Sequence, residues 1–280
     1  MLGTASLLCI LPFINILAIS FSNSTAVASG DVKFLPVGFS LKSYEFVIKS
    51  GAFTRAFGVS INRVLSGVLI NMLLTILTAY PLSKGKSSFR FRGIYAWFFM
   101  ITMLFNAGLI PWYMVIKFTG LIDTIWALII PGALPVFNMI VLLNFFRGLP
   151  KELEEAAFID GAGHWSILWK IYVPLSKPAL ATVGLFCIVN HWNSWFDGLI
   201  LMNRSTHYPL QSYLQTIIIN PEVFMSTASG KSDYTSLLQF VNARTSKAAQ
   251  IFIAALPVLC VYPFLQRYFT TGLVLGSVKG

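Results

Sequence analysis

Long apolar runs separated by short polar breaks occupy most of the chain. Six of them have about the 20 residues that a helix needs to cross a bilayer: residues 2–21, 64–82, 93–116, 124–146, 178–200 and 248–268. The pattern predicts an all-α, polytopic membrane protein with six transmembrane helices. The first run, LGTASLLCILPFINILAISF, has no basic lead-in and is longer than the core of a signal peptide. It is predicted to be a span with a short cytoplasmic lead-in, and whether the N terminus is truncated stays open. Prolines 12, 111, 131, 135, 257 and 263 fall inside the runs. Each would cost a helix interior in water about 3 kcal/mol, whereas a bundle can satisfy the freed carbonyls. Simple kinks and working bends both remain open. Residues 106–111, NAGLIP, are the best candidate bend because Gly and Pro combine there.

Charge orients the runs. The segment 83–92, SKGKSSFRFR, holds Lys84, Lys86, Arg90 and Arg92 and no acid. Short loops rich in Lys and Arg stay in the cytoplasm. Counting from there, both termini, the segment 147–177 and the tail 269–280 are cytoplasmic, and 22–56 and 201–247 lie outside. Composition agrees with a bilayer as solvent. The chain is 56% hydrophobic and 11% charged, against about 25% charged in soluble proteins, and its mean hydropathy is +0.74. The net charge of +10 is spread around apolar runs, so nucleic acid is not an expected partner. Cys9, Cys187 and Cys260 lie in apolar runs without a CxxC, which argues against disulfides and against a metal site.

One polar break stands out. Residues 150–163 read PKELEEAAFIDGAG and carry four of the ten acidic residues, Glu152, Glu154, Glu155 and Asp160. Pro150 suits a first helical turn, the glutamates suit the positive end of the helix dipole, and Gly161 suits a left-handed stop. A helix over 150–160 follows, with Leu153, Ala156, Ala157 and Asp160 sharing one small, flat side. A second amphipathic piece, 164–173, is closed by Pro174 and Pro178. Two readings are open on this ground: a solvated helix, or a knob that fits the groove of a soluble partner.

In the fifth run, Asn190, Trp192, Asn193, Trp195 and Asp197 put amides, an acid and rings at membrane depth, with Asn106 and Asn138 in other runs. Amides that bond hydroxyls and rings that stack on a sugar would suit a substrate path. Interhelical hydrogen bonds and an interfacial aromatic belt would use the same residues. An ion-coupled transporter would need relays within the spans, and only Asp197 and the edge residues Arg63 and Asp123 qualify. No HExxH or GxSxG appears, so an intramembrane enzyme is not expected.

Glu155-Ala156-Ala157, Asp160-Gly161-Ala162 and Pro174-Leu175-Ser176-Lys177-Pro178 together resemble the EAA loop of ATP-binding-cassette importer permeases. The likeness runs over essentially the whole chain. The tail Gly276-Ser277-Val278-Lys279-Gly280 is similar to that of the carbohydrate, maltose permease-like branch, and HWNSWFDGLI to its oligosaccharide and aldouronate subgroup. The resemblance implies a type I importer permease fold and a place in a bacterial cell membrane. It implies a second homologous permease subunit, a cytoplasmic ATPase dimer and an extracytoplasmic solute-binding lipoprotein as partners. Glu154, Glu155, Ala156, Ala157, Asp160, Gly161 and Ala162 would couple to the ATPase, and Lys279 would reach it from the tail. No GxxxxGK[ST] phosphate loop is present, so ATP would be bound by the partner and no cofactor by this chain.

Overall fold

The computed structural model describes residues 2–85, 88–219 and 242–277. Among the described residues every regular element is helical. In chain order they are α1 (Leu2–Ser20), α2 (Ser24–Ser29), α3 (Lys42–Lys49), α4 (Gly51–Ser83), α5 (Arg92–Leu104) and α6 (Leu109–Phe118). Two 3-10 turns, Ile125–Leu128 and Ile130–Gly132, lead into α7 (Val136–Gly148), followed by α8 (Lys151–Ile159) and α9 (His164–Ile167). A π turn, Leu168–Tyr172, then joins α10 (Val173–Leu175) to α11 (Lys177–Asn193). Last come α12 (Phe196–Leu201), α13 (Leu210–Ile219) and α14 (Ala243–Ser277).

Among the described residues two helices, Gly51–Ser83 and Ala243–Val261, are long and apolar enough to cross a membrane unbroken. Three further apolar stretches are bent pairs: α5 with α6 at 115°, the 3-10 turns with α7 at 47°, and α9–α10 with α11 at 83°. The third and fourth runs, 93–116 and 124–146, are therefore each a bent pair rather than one straight helix, and the 83° bend lies just ahead of the fifth. The third breaks at 105–108, where Gly108 has φ +86°, a conformation that costs other residues a Cβ clash. The Asn106 Oδ1 accepts from the Gly108 N–H at 2.9 Å, which satisfies a donor the break sets free. The fourth opens as 3-10 turns around Pro131 and reaches α7 through Pro135. The fifth stops at Asn193, and a new helix begins at Phe196. Asn193 and Asp197 are thus not one turn apart on a single helix.

Two further differences concern helix ends. The predicted second span, 64–82, lies inside a longer helix: α4 runs for 33 residues, about 50 Å at 1.5 Å per residue. Its start lies in the segment 22–56, which also holds α2 and α3. Ser60 and Arg63 on the added turns are buried, and Arg63 donates to the Leu128 carbonyl at 3.4 Å. Pro174 does not end the 164–173 helix. The π turn precedes it, and the helix continues to Leu175. A proline has no N–H for the ladder, and a wide turn takes up the shifted register.

The chain divides into two compact units, 1–61 with 194–260, and 62–193 with 261–280. In the first, Ala18, Ile19, Val27, Val32 and Ala248 form a core. Phe21 stacks on Phe39 at 5.6 Å, and the Tyr44 hydroxyl meets Ser20 Oγ at 2.7 Å. In the second unit a core is drawn from α4, α7, α8, the π turn and α11, with Leu142, Ile167 and Val183 fully buried. By contrast α5 buries no residue, and Ile94, Trp97, Phe98 and Leu104 are exposed by 59–68%. An apolar face of that size suits lipid or a partner helix rather than water.

Candidate coupling site

The 150–163 stretch folds as a short capped helix on the second unit. Pro150 precedes α8 with φ −58°, and Glu152 and Glu154 stand in its first turn, at the positive end of the dipole. The helix ends in two crossed bonds: Gly161 N–H to Phe158 O at 3.0 Å and Ala162 N–H to Ala157 O at 2.9 Å. That is the Schellman arrangement, and it needs a left-handed residue at the first position past the cap. Gly161 supplies it with φ +79°.

The helix has a back and a front. Ala157 is buried and joins the core. Glu155, Ala156, Phe158, Ile159, Asp160 and Gly161 are exposed, and Ala162 is half-buried. Ala157 therefore does not share an outer face with Leu153 and Ala156, as the three-and-four spacing suggested. The outer surface is also less flat than expected, because Ile159 stands 86% exposed and Phe158, next to it in the chain, is exposed too.

Glu154 faces inward. Its Oε1 accepts from Lys84 Nζ at 2.7 Å and its Oε2 from the Tyr172 hydroxyl at 2.6 Å. The Lys84 ammonium lies 4.0 Å from the ring centroids of both Tyr80 and Tyr172. The two rings meet edge to face at 5.0 Å. Tyr80 OH also meets His164 Nδ1 at 3.3 Å, which ties α4 to α9. Burial pushes the Glu154 carboxyl up, but the Lys84 and Tyr172 hydrogen bonds and the Lys84 charge outweigh it, so the carboxyl lies below its ordinary range. Burial lowers the Lys84 ammonium, against the opposing pull of Glu154. Tyr172 is raised, by burial first and then by Glu154.

Around it, Arg92 donates to the Lys84 carbonyl at 3.0 Å and Arg147 to the Leu82 carbonyl at 3.2 Å. Both guanidiniums close the negative end of α4. A cavity of about 590 Å³ opens here, lined among others by Lys84, Arg92, Arg147, Lys151, Glu154 and Glu155. Sequence reasoning missed Lys84, Tyr80, Tyr172 and His164 as members of this site. The sequence presents Lys84 only as loop charge, and nothing in its spacing points to Glu154, which lies 70 residues on.

The expected path residues are not brought together in one place within either unit. Asn138 is buried, and its Nδ2 donates to Cys187 Sγ at 3.3 Å between α7 and α11. Trp192 is buried, whereas Asn190 and Asn193 are exposed on α11. Trp195 is exposed at the break. Asp197 Oδ1 accepts from Ser194 Oγ at 2.8 Å and from the Gly198 N–H at 2.9 Å. Asn106 caps the α5–α6 break, as above. Lys279 lies outside the described residues.

Known proteins place this geometry. Residues 52–274 match the family of binding-protein-dependent transport system inner membrane components. The protein LplC of Bacillus subtilis is 39% identical over 279 residues, covering 100% of this chain and 92% of the relative. The polygalacturonan/rhamnogalacturonan transport system permease protein YtcP of the same organism is 38% identical over 279 residues, covering 98% and 94%. A crystal structure of a bacterial ABC transporter involved in the import of the acidic polysaccharide alginate holds a chain 34% identical, with a TM-score of 0.86 over 96% of this chain and 93% of that one. The chain belongs to the family of inner membrane components of binding-protein-dependent transport systems. It is an integral membrane protein with the helical fold of type I ABC importer permeases.

Proposed function

We propose that this chain is a permease subunit of a sugar importer, forming half of the path for an oligosaccharide handed over by an extracytoplasmic binding protein. It is not itself an enzyme; a separate cytoplasmic ATPase dimer drives it, and a second homologous permease completes the path. Relatives named for polygalacturonan and rhamnogalacturonan transport and for alginate import support an oligosaccharide as the substrate class. In this reading the chain sits in a bacterial cell membrane with spans at 2–21, 64–82, 93–116, 124–146, 178–200 and 248–268, and with α8 and both termini on the cytoplasmic side. Asn190, Asn193, Trp195 and Asp197 are proposed to meet the sugar.

The observation that carries the reading is the front of α8. Glu155, Ala156, Phe158, Ile159 and Asp160 stand exposed on a helix whose back is held by Ala157 and Glu154. Small residues admit a groove wall closely, Phe158 and Ile159 supply the apolar anchor, and the acids suit a basic rim. The test is reconstitution with the ATPase, the second permease and the binding protein in liposomes. Glu155→Arg is expected to weaken ATPase retention about 30-fold, the loss of one hot-spot contact, and to abolish uptake. Wild-type retention of the ATPase by that variant refutes the docking role.

A further inference from the structure

No helical ladder continues from α7 into α8 or from α8 into α9: Pro150 leads in, and Gly161 and Gly163 lead out. Side-chain contacts are then a direct route by which a push on this helix reaches the membrane part of the chain. One contact is built for that. Both Glu154 oxygens are taken, one by Lys84 at 2.7 Å and one by Tyr172 at 2.6 Å. The side chains of Lys84 and Glu154 are only 7% and 17% exposed, so the bond is shielded from water and screening salt. Lys84 directly follows the last turn of α4, one of the two unbroken helices long enough to span a bilayer. Arg92 and Arg147 hold the carbonyls of the same turn.

We propose that the Lys84–Glu154 ion pair, seated against the Tyr80 and Tyr172 rings, is the joint through which displacement of α8 moves the C-terminal end of α4. Glu154 is then a positioning residue rather than part of the surface that meets the ATPase, although it sits next to Glu155. The inference rests on the reading that α8 docks the ATPase. A rigid, desolvated ion pair transmits displacement in both directions, because neither partner can be replaced by water at little cost. The two rings add direction, since they hold the ammonium in one place.

The experiment uses the complete importer in liposomes and measures sugar moved per ATP hydrolysed. Lys84→Met and Glu154→Gln are each expected to lower that ratio about tenfold, the size of an ordinary coupling between sites, with the ATPase still retained at its normal stoichiometry. Lys84→Arg keeps the charge and stacks on the rings, and is expected to stay within about twofold. An unchanged ratio in both single variants overturns the joint. Loss of the ATPase from the Glu154→Gln complex overturns it too, by making Glu154 a docking residue. The reversed pair, Lys84→Glu with Glu154→Lys, guards against a simple folding defect: a recovered ratio supports the joint, and a ratio as low as the single variants overturns it. Failure of the underlying docking reading shows separately, as ATPase retention in Glu155→Arg.

Discussion

The Glu154 carboxylate accepts from Lys84 and Tyr172 while Glu155, one position on, stands exposed. A step of about 100° around the helix axis separates the two, and that step decides which acid is internal. A second residue-scale contact fixes the membrane part. The Asn71 amide meets His191 Nε2 at 3.2 Å, and in the orientation that satisfies it fully, its nitrogen donates to Gly67 O at 3.0 Å and Ala133 O at 3.2 Å. Gly67 is what admits the imidazole, because a Cβ there would lie 2.5 Å from His191 Nε2. Gly67→Ala is expected to destabilise the second unit by about 2 kcal/mol, as overpacking does. Thermal unfolding of the purified protein in detergent reads this directly, and an unshifted transition would mean that the ring can move aside.

At the scale of elements, α8 depends on its stop. Nothing lies within 4 Å of a Cβ built on Gly161, so a side chain there meets no clash, only the left-handed backbone at φ +79°. A β-branched residue pays about 1–2 kcal/mol in that conformation. Gly161→Val is therefore expected to unwind the last turn and displace Asp160 and Ala162, lowering uptake about tenfold while the chain still inserts. Gly161→Asn, which tolerates the left-handed region, is expected to retain most uptake. Equal activity of the two variants would show that the stop does not position α8. The capping geometry was legible in advance from Pro150, the acidic first turn and Gly161. The bent pairs were only partly so. Prolines 131 and 135 and the Gly108–Pro111 stretch mark breaks, but no local signal gives the angles of 115°, 47° and 83°.

At the scale of the whole molecule, orientation rests on the basic segment 83–92. In a background without Cys9, Cys187 and Cys260, a cysteine at Ser88 is expected to react with a membrane-impermeant maleimide only from the cytoplasmic side, and a cysteine at Ser205 only from outside. The opposite labelling pattern would invert the topology and remove α8 from reach of any cytoplasmic ATPase. Retention of positive charge in the cytoplasm acts on short loops during insertion, so this property belongs to the sequence rather than to the final packing.

By itself the sequence determined the membrane class, the apolar runs, and the acidic helix with its glycine stop. These follow from local hydrophobicity, charge and backbone propensity, all of which act over one turn or one run. Tertiary structure alone decided that α4 begins at Gly51, that the third and fourth runs bend, that the fifth is interrupted between Asn193 and Phe196, and that Asn138 turns inward to Cys187. It alone paired Glu154 with Lys84 across 70 residues against two tyrosine rings. Such contacts depend on which helices meet, and no local period or propensity encodes the meeting of a charge in one loop with an acid in another.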